Sequence, residues 1–430
     1  MRRAIVVLYV ASFFFYGHAF GAGSGAYRLE VPDAEAMGKG SAFVAQASNP
    51  AAIYYNPAGI TQLKGDNYIS VGTTIIQPFM TYKDNAGSKT RRHDQVFIVP
   101  HTYFVSDFGM KKLAFGVGAT SPWGLGTQWP DDSFSRYVST KADMTAEEVM
   151  LVGAYKVNDQ FSLGVSFDYT SAKVNKKKQL AQLGGPDGTS QLKGEDNNIW
   201  GYRLSALYRP NDRHSFGLMY RSAKDVKYRG KLYLTGLTGD GFNYEHIFGD
   251  STSYQTDVSA KSRLPQSIVA GYSYKPSNKW IFETDVEWMD WSSTKQEYVT
   301  YESETDPTRL FFLGIGNPAP RDWRGVFSYS FGVEYKVNEK WSLRSGYFYH
   351  KNPIPEANFD TVLPDSDSNS VTAGVGHSFN DKLRLDFAYA AMFYRERTIN
   401  TGAGISTGTN IDGKYSQFVN LYMVTLGYKF

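Results

Sequence analysis

The chain has 430 residues and a formal net charge of +3, with charged residues at 20% and no cysteine. That balance carries no electrostatic footprint for nucleic acid, and the missing thiols exclude disulfides, thiolate catalysis and thiolate metal sites. Tyr, Phe and Trp supply 16% of the residues while mean hydropathy is only −0.39, so the sequence is rich in aromatics without being greasy overall.

At the N-terminus, Arg2 and Arg3 precede an apolar run from Ala4 to Tyr16, and Gly17-His18-Ala19 offers small residues where a signal peptidase reads. Residues 1–19 therefore read as a secretory signal peptide, with cleavage after Ala19 or Ala22. No later apolar stretch approaches the ~20 residues that a helix needs to span a bilayer. Residues 20–63 come next and hold two Asn-Pro-Ala units, Asn49-Pro50-Ala51 and Asn56-Pro57-Ala58. Proline fixes φ and removes a donor, so both units break helix and strand. Ala, Ile, Tyr and Gly dominate where a solvated tail would be charged, which predicts a compact N-terminal plug.

From residue 64 to 430 the pattern changes to period-2 alternation in fourteen segments, the first near 67–80 and the last near 413–430. Phe327, Tyr329, Phe331, Val333 and Tyr335 share one face of such a segment, and Ser328, Ser330, Gly332, Glu334 and Lys336 share the other. Short polar turns such as Val157-Asn158-Asp159-Gln160 and Val337-Asn338-Glu339-Lys340 alternate with long connections at 81–93, 122–144, 175–196, 230–261, 293–322, 351–368 and 399–412. An even number of long strands, tight turns on one side and long loops on the other predict an all-β fold: a 14-stranded antiparallel transmembrane β-barrel of the bacterial outer membrane, closed because no sheet edge is tolerated in hydrocarbon. Phe430, after the alternation of Tyr422 to Tyr428, resembles the signal read by outer-membrane assembly machinery.

Several motifs resemble the FadL/TodX family of outer-membrane hydrophobic-compound transporters. These are the segment Ala26 to Gly59 with its Asn-Pro-Ala-Gly, the stretch Ser121-Pro122-Trp123-Gly124-Leu125-Gly126-Thr127, and the run Arg344-Ser345-Gly346-Tyr347 through Asn352-Pro353-Ile354-Pro355 to Leu363-Pro364-Asp365-Ser366-Asp367. The resemblance spans the mature chain and departs where the family's hatch carries Gly-Leu-Gly, since Ala36-Met37-Gly38-Lys39-Gly40 stands here. It implies a hydrophobic ligand, most simply a long-chain fatty acid, that lands on outer loops three and four, moves into the lumen, and leaves sideways into the membrane past a hatch and a kinked third strand. On that reading Leu232, Leu234, Leu237, Phe242 and Phe248 of the fourth loop contact ligand or pack on one another, and Asn56, Pro57, Ala58, Gly116 and Gly118 form the gate. Lys176-Lys177-Lys178 of the third loop suits lipopolysaccharide phosphates, the surrounding lipid being the other partner.

The charged residues on the predicted lumen face read mainly as a mutually satisfied network, with Arg324 and Arg344 as candidates for a carboxylate headgroup. No histidine has ligand spacing, and Asp365-x-Asp367-x-Asn369 lacks the glycine and closing glutamate of a calcium loop, so no metal or cofactor is predicted. An enzyme is not predicted either: a lipase would need Ser, His and an orienting group together, and His377 falls on the lipid face. A monomer is expected. A general diffusion porin and a surface adhesin are the competing readings, and both leave the N-terminal segment unexplained.

Overall fold

In the computed structural model, residues 25–30, 32–182, 185–238, 244–249, 251–403 and 409–430 are described. The predicted signal peptide, residues 1–19, lies outside them. Fourteen strands form the wall: β1 (Asn67–Lys83), β2 (Phe97–Ser106), β3 (Leu113–Gln128), β4 (Lys141–Lys156), β5 (Phe161–Leu180), β6 (Gly188–Tyr208), β7 (His214–Arg221 and Lys224–Thr235), β8 (Ser253–Leu264 and Ser267–Tyr274), β9 (Trp280–Met289), β10 (Val326–Lys336), β11 (Trp341–His350), β12 (Ser368–Ser378), β13 (Leu383–Tyr394) and β14 (Gly413–Lys429). Each pairs antiparallel with the next, and β14 returns to β1 over Tyr68↔Lys429 to Lys83↔Lys414, which closes the ring.

Alternation places the residues as the period-2 reading requires. Leu163 and Phe167 of β5 face outward and are exposed, whereas Ser166, Asp168 and Thr170 between them are buried inside the ring. Four of the tight turns share one device. Asn158, Asn211, Asn338 and Asn380 each turn their side-chain oxygen back onto two following backbone N–H groups, at 2.8–3.1 Å. One recurring sequence therefore marks one recurring hairpin.

The opposite ends of the strands run farther than alternation suggests. β5 and β6 extend to Leu180 and from Gly188, so the expected 175–196 loop is mostly a paired ribbon. Both faces of this ribbon are at least partly exposed, which removes the apolar period that marks a strand. β3 likewise continues to Gln128, past the loop expected from residue 122.

Residues 25–30 and 32–63 lie within the ring and bond to strands on several sides of it. Ala34 donates its N–H to Thr425 of β14, Gly40 to Thr372 of β12, and Ala58 to Ser205 of β6, at 2.9–3.1 Å. The segment contains α1 (Ala34–Gly38), α2 (Ala52–Tyr55) and a 3-10 turn at Pro57–Gln62. Its Asn-Pro-Ala units are local caps: Asn49 accepts Ala51 N–H at 2.8 Å and Asn56 accepts Ala58 N–H at 3.1 Å, each across a proline that has no N–H to satisfy. Lumen-facing glycines allow the backbone to come this close. A Cβ at Gly217 would sit 2.2 Å from Val44 O, and one at Gly346 would sit 2.2 Å from Gly40 N.

Two places in the wall lose their pairing. β6 and β7 are unpaired between Arg203↔Arg221 and Glu195↔Arg229. Lys224 turns inward there to Glu148 and Thr170, and Ser222 bonds both the N–H and the carbonyl of Tyr202, so side chains close that seam. The second interruption lies between β2 and β3, which pair only over Thr102↔Ala119 to Ser106↔Phe115.

Candidate functional site

A cavity of about 360 Å³ occupies the upper lumen beneath the long loops. Leu125, Met144 and Val174 of β3 to β5, Tyr228 of β7, and Ile354, Val362 and Leu363 of the loop after β11 give it an apolar lining. Tyr27 and Trp323 form its floor. They belong to an aromatic cluster in which Tyr27 meets Trp291 edge-on at 4.8 Å and Trp291 meets Trp323 at 5.3 Å, with Trp123 at 6.0 Å from Trp291. These rings carry much apolar area with few rotatable bonds, which suits a preformed pocket.

The lining also carries charge. Arg321 pairs with Glu297 at 2.8 Å and with Asp360, and Lys176 also reaches Glu297. Burial alone would raise the Glu297 carboxyl, but Lys176 and Arg321 together hold it below the usual carboxylate range. The lining holds five cations (Lys176, Lys261, Arg263, Lys295, Arg321) and four carboxylates (Asp143, Asp225, Glu297, Asp360), an excess of one positive charge.

Beside the cavity lies the gap in the wall. At Thr120 to Trp123, β3 carries one residue more than β4 opposite it, a bulge centred on Ser121 and Pro122. Above the bulge β3 bends inward and residues 120–127 are all buried. β2 continues beside β1 alone. The N-terminal segment takes its place: Leu29 N–H donates to Pro122 O and Gly124 N–H donates to Tyr27 O, both at 2.9 Å, around an antiparallel Arg28↔Trp123 bridge. His93 N–H, bonded to Gln128 O at 3.0 Å, closes the top. A second pocket of about 20 Å³ abuts the gap, and it shares Leu125 and Leu363 with the main cavity.

The residues singled out from sequence fall in different places. Leu232 and Leu234 lie on β7 rather than in the loop expected at 230–261, and with Leu237, Phe248 and Val258 of β8 they form a cluster that does not line the cavity. Phe242 lies outside the described residues. Arg324 is exposed. Arg344 is buried lower in the lumen, bonded to Glu334 and Asp386 at 2.7 Å each and facing Glu35 at 3.8 Å. Gly116 and Gly118 lie in the paired part of β3, where Ile53 of α2 packs against them. Asn56, Pro57 and Ala58 sit instead against Gly164 of β5 and Ser205 of β6. Sequence reading did not single out Tyr27, Met144, Val174 or Trp323. The available signal was the pair Trp291 and Trp323, which flank the 293–322 connection at its two ends.

A closed fourteen-stranded barrel that holds its N-terminal segment inside, with an apolar cavity beside a break in its wall, has the architecture of an outer-membrane transport protein for hydrophobic compounds. Residues 20–430 match the family of outer-membrane transport proteins described as OMPP1/FadL/TodX. The chain belongs to this family and thus to the bacterial outer membrane. It is 23% identical over 381 residues to the long-chain fatty acid transport protein of Escherichia coli K12, covering 81% of this chain and 82% of that one. It is also 23% identical over 467 residues to outer membrane protein P1 of Haemophilus influenzae, covering 95% and 96%. Among solved structures, a Pseudomonas aeruginosa FadL homologue superposes with a TM-score of 0.80 at 18% identity, covering 94% of this chain and 99% of that one. The Pseudomonas putida toluene transporter TodX gives 0.72 at 17% identity, covering 94% and 99%.

Proposed function

We propose that the protein takes up long-chain fatty acids passively: the acid enters the upper cavity, the N-terminal segment acts as a hatch that blocks the lumen, and the acid leaves sideways into the membrane between β2 and β3. The observation that carries this reading is the seam itself. Among the described residues, β3 has no wall strand on its β2 side from Thr120 upward; Tyr27 and Leu29 bond to it there, and His93 bonds to Gln128 at the top. Each methylene transferred from water to lipid gains about 0.8 kcal/mol, so an apolar tail favours a path that never returns it to water. Leu125 and Leu363 separate the cavity from the small pocket at the seam, a short step for a flexible chain. The β6–β7 seam is a weaker candidate, because Lys224 and Ser222 fill it with polar bonds.

A fatty acid is favoured over a neutral aromatic compound by the excess positive charge on the cavity lining and by the name of the Escherichia coli relative. The test is uptake of radiolabelled oleate and toluene by intact cells that lack their own transporter, with lipopolysaccharide as the barrier the protein must bypass. Expression should raise oleate uptake more than toluene uptake. Toluene uptake alone would move the reading to monoaromatic hydrocarbons, and ready passage of small sugars through the intact protein would favour a porin.

A further inference from the structure

Below the aromatic floor, two guanidinium groups are buried side by side, and five of their six nitrogens have no hydrogen-bond partner among the described residues. Arg221 closes the lower segment of β7 and is 1% exposed, and none of its three side-chain nitrogens has a partner among the described residues. Arg28 comes from the N-terminal segment and is 5% exposed, with Nε and Nη1 equally unpartnered. The two lie over the same rings: 4.8 and 5.5 Å from the centre of Tyr54, and 6.0 and 5.5 Å from that of Trp123.

Neighbouring Arg203 shows what a satisfied cation looks like here. It too sits over Tyr54, at 5.2 Å, but it is bonded to Glu148 and to Asp168 at 3.0 Å. Arg28 has Glu30 at 3.8 Å from Nε, beyond hydrogen-bond reach, and it feels the charge of Glu287 without an ion pair to it among the described residues. No ion-pair partner of Arg221 is found among the described residues. Stacking on aromatic faces offsets only part of the cost of burying a cation, and two like charges side by side add to that cost. The Tyr54 hydroxyl and Trp123 Nε1 are buried and unpartnered as well, so further donors gather around the pair.

We propose that Arg28 and Arg221 form an anion site that takes the carboxylate head of an apolar-tailed acid, with the tail directed toward the seam at Trp123. A carboxylate bridging the two guanidinium groups would supply the missing acceptors and separate the like charges. One arginine belongs to the hatch and the other to the wall, so the same acid would tie the two together just below the exit. The proposal rests on the transport reading for the arrival of the acid, but its test does not depend on transport.

The full chain in detergent micelles is dialysed against radiolabelled dodecanoate and, separately, dodecanol, at about pH 9, where the free acid is ionised. The wild-type protein should prefer dodecanoate. R28Q and R221Q should each weaken dodecanoate binding about ten- to a hundredfold while dodecanol binding holds. R213Q, altered in the exposed turn between β6 and β7, should keep the preference, and R321Q is measured alongside to report binding in the upper cavity. R221K retains the charge without the fork and should fall between; if R221Q fails to fold, R28Q and R221K decide. An unchanged preference in the Arg28 and Arg221 variants, or one lost only in R321Q, overturns the site. Cells that take up neither acid nor alcohol would instead defeat the transport reading, which leaves the two failures distinguishable.

Discussion

The Asp285 carboxylate on β9 accepts the backbone N–H of Phe43 at 2.8 Å, and the same oxygen accepts that of Val44 at 3.0 Å. Glu283, two residues earlier, does the same for Ala45 and Gln46 at 2.9 and 2.8 Å and also pairs with Lys39. Four successive amides of the N-terminal segment are thus held by two carboxylates on one strand. Hydrogen bonds to a charged group contribute about 1.5–3 kcal/mol each. Asp285→Ala should therefore shift the segment toward a displaced state, raising sucrose flux into liposomes well above the low wild-type level. Asp285→Asn, which keeps one acceptor oxygen, should leak less than the alanine variant.

The cavity lining predicts a simple loss by filling. Val174 projects into the pocket from β5 among other apolar side chains. Val174→Trp occupies part of the 360 Å³ without adding charge, so binding of both dodecanoate and dodecanol should weaken by about tenfold or more. Equilibrium dialysis measures this directly, and heat-modifiable gel mobility checks that the barrel has folded.

Where the N-terminal segment meets the outer loops, pH enters. Ala26 N–H donates to Asp365 at 2.8 Å. Burial pushes the Asp365 carboxyl up to about 7, against the downward pull of that bond. Because the docked value exceeds the ~3.9 of a free aspartate, the docked state binds more protons between these limits. Docking is strongest below about pH 4, weakens as pH rises, and stays weak above about 7. Asp33 in the same segment is pushed up to about 7 by burial and by facing Glu35 and Asp386, which gives the same sign. Amide exchange at Ala26, corrected for its intrinsic rate, should be faster at pH 8 than at pH 6, and Asp365→Asn should flatten part of that difference.

The wall was legible in the sequence because lipid on one face and a polar lumen on the other impose strict alternation. Four of the tight turns were legible because each places an asparagine where its side chain caps the reversal. Above the bilayer both faces of β5 and β6 are polar, the period disappears, and a paired ribbon reads as loop. The site was less legible for another reason. Arg344 and Arg221 look alike as lumen-facing arginines, yet Arg344 meets three carboxylates and Arg221 meets none within ion-pair distance. Partners contributed by distant strands cannot be read from spacing. Gly116 and Gly118 mark positions where Ile53 approaches β3 closely, while the departure from β2 follows the bulge at Ser121 and Pro122. A glycine alone does not distinguish a bend from a close contact.

Lateral exit is the central claim, and the bulge offers the most direct test. Deleting Pro122 removes the extra residue and should restore one-to-one register with β4, so that β3 runs straight beside β2 and closes the seam. With the barrel folded and continuous β2–β3 pairing verified by structure, the variant should still bind dodecanoate in the upper cavity but lose oleate uptake by intact cells. Uptake at the wild-type rate through that closed wall would contradict lateral exit and direct the acid through the periplasmic end of the barrel instead.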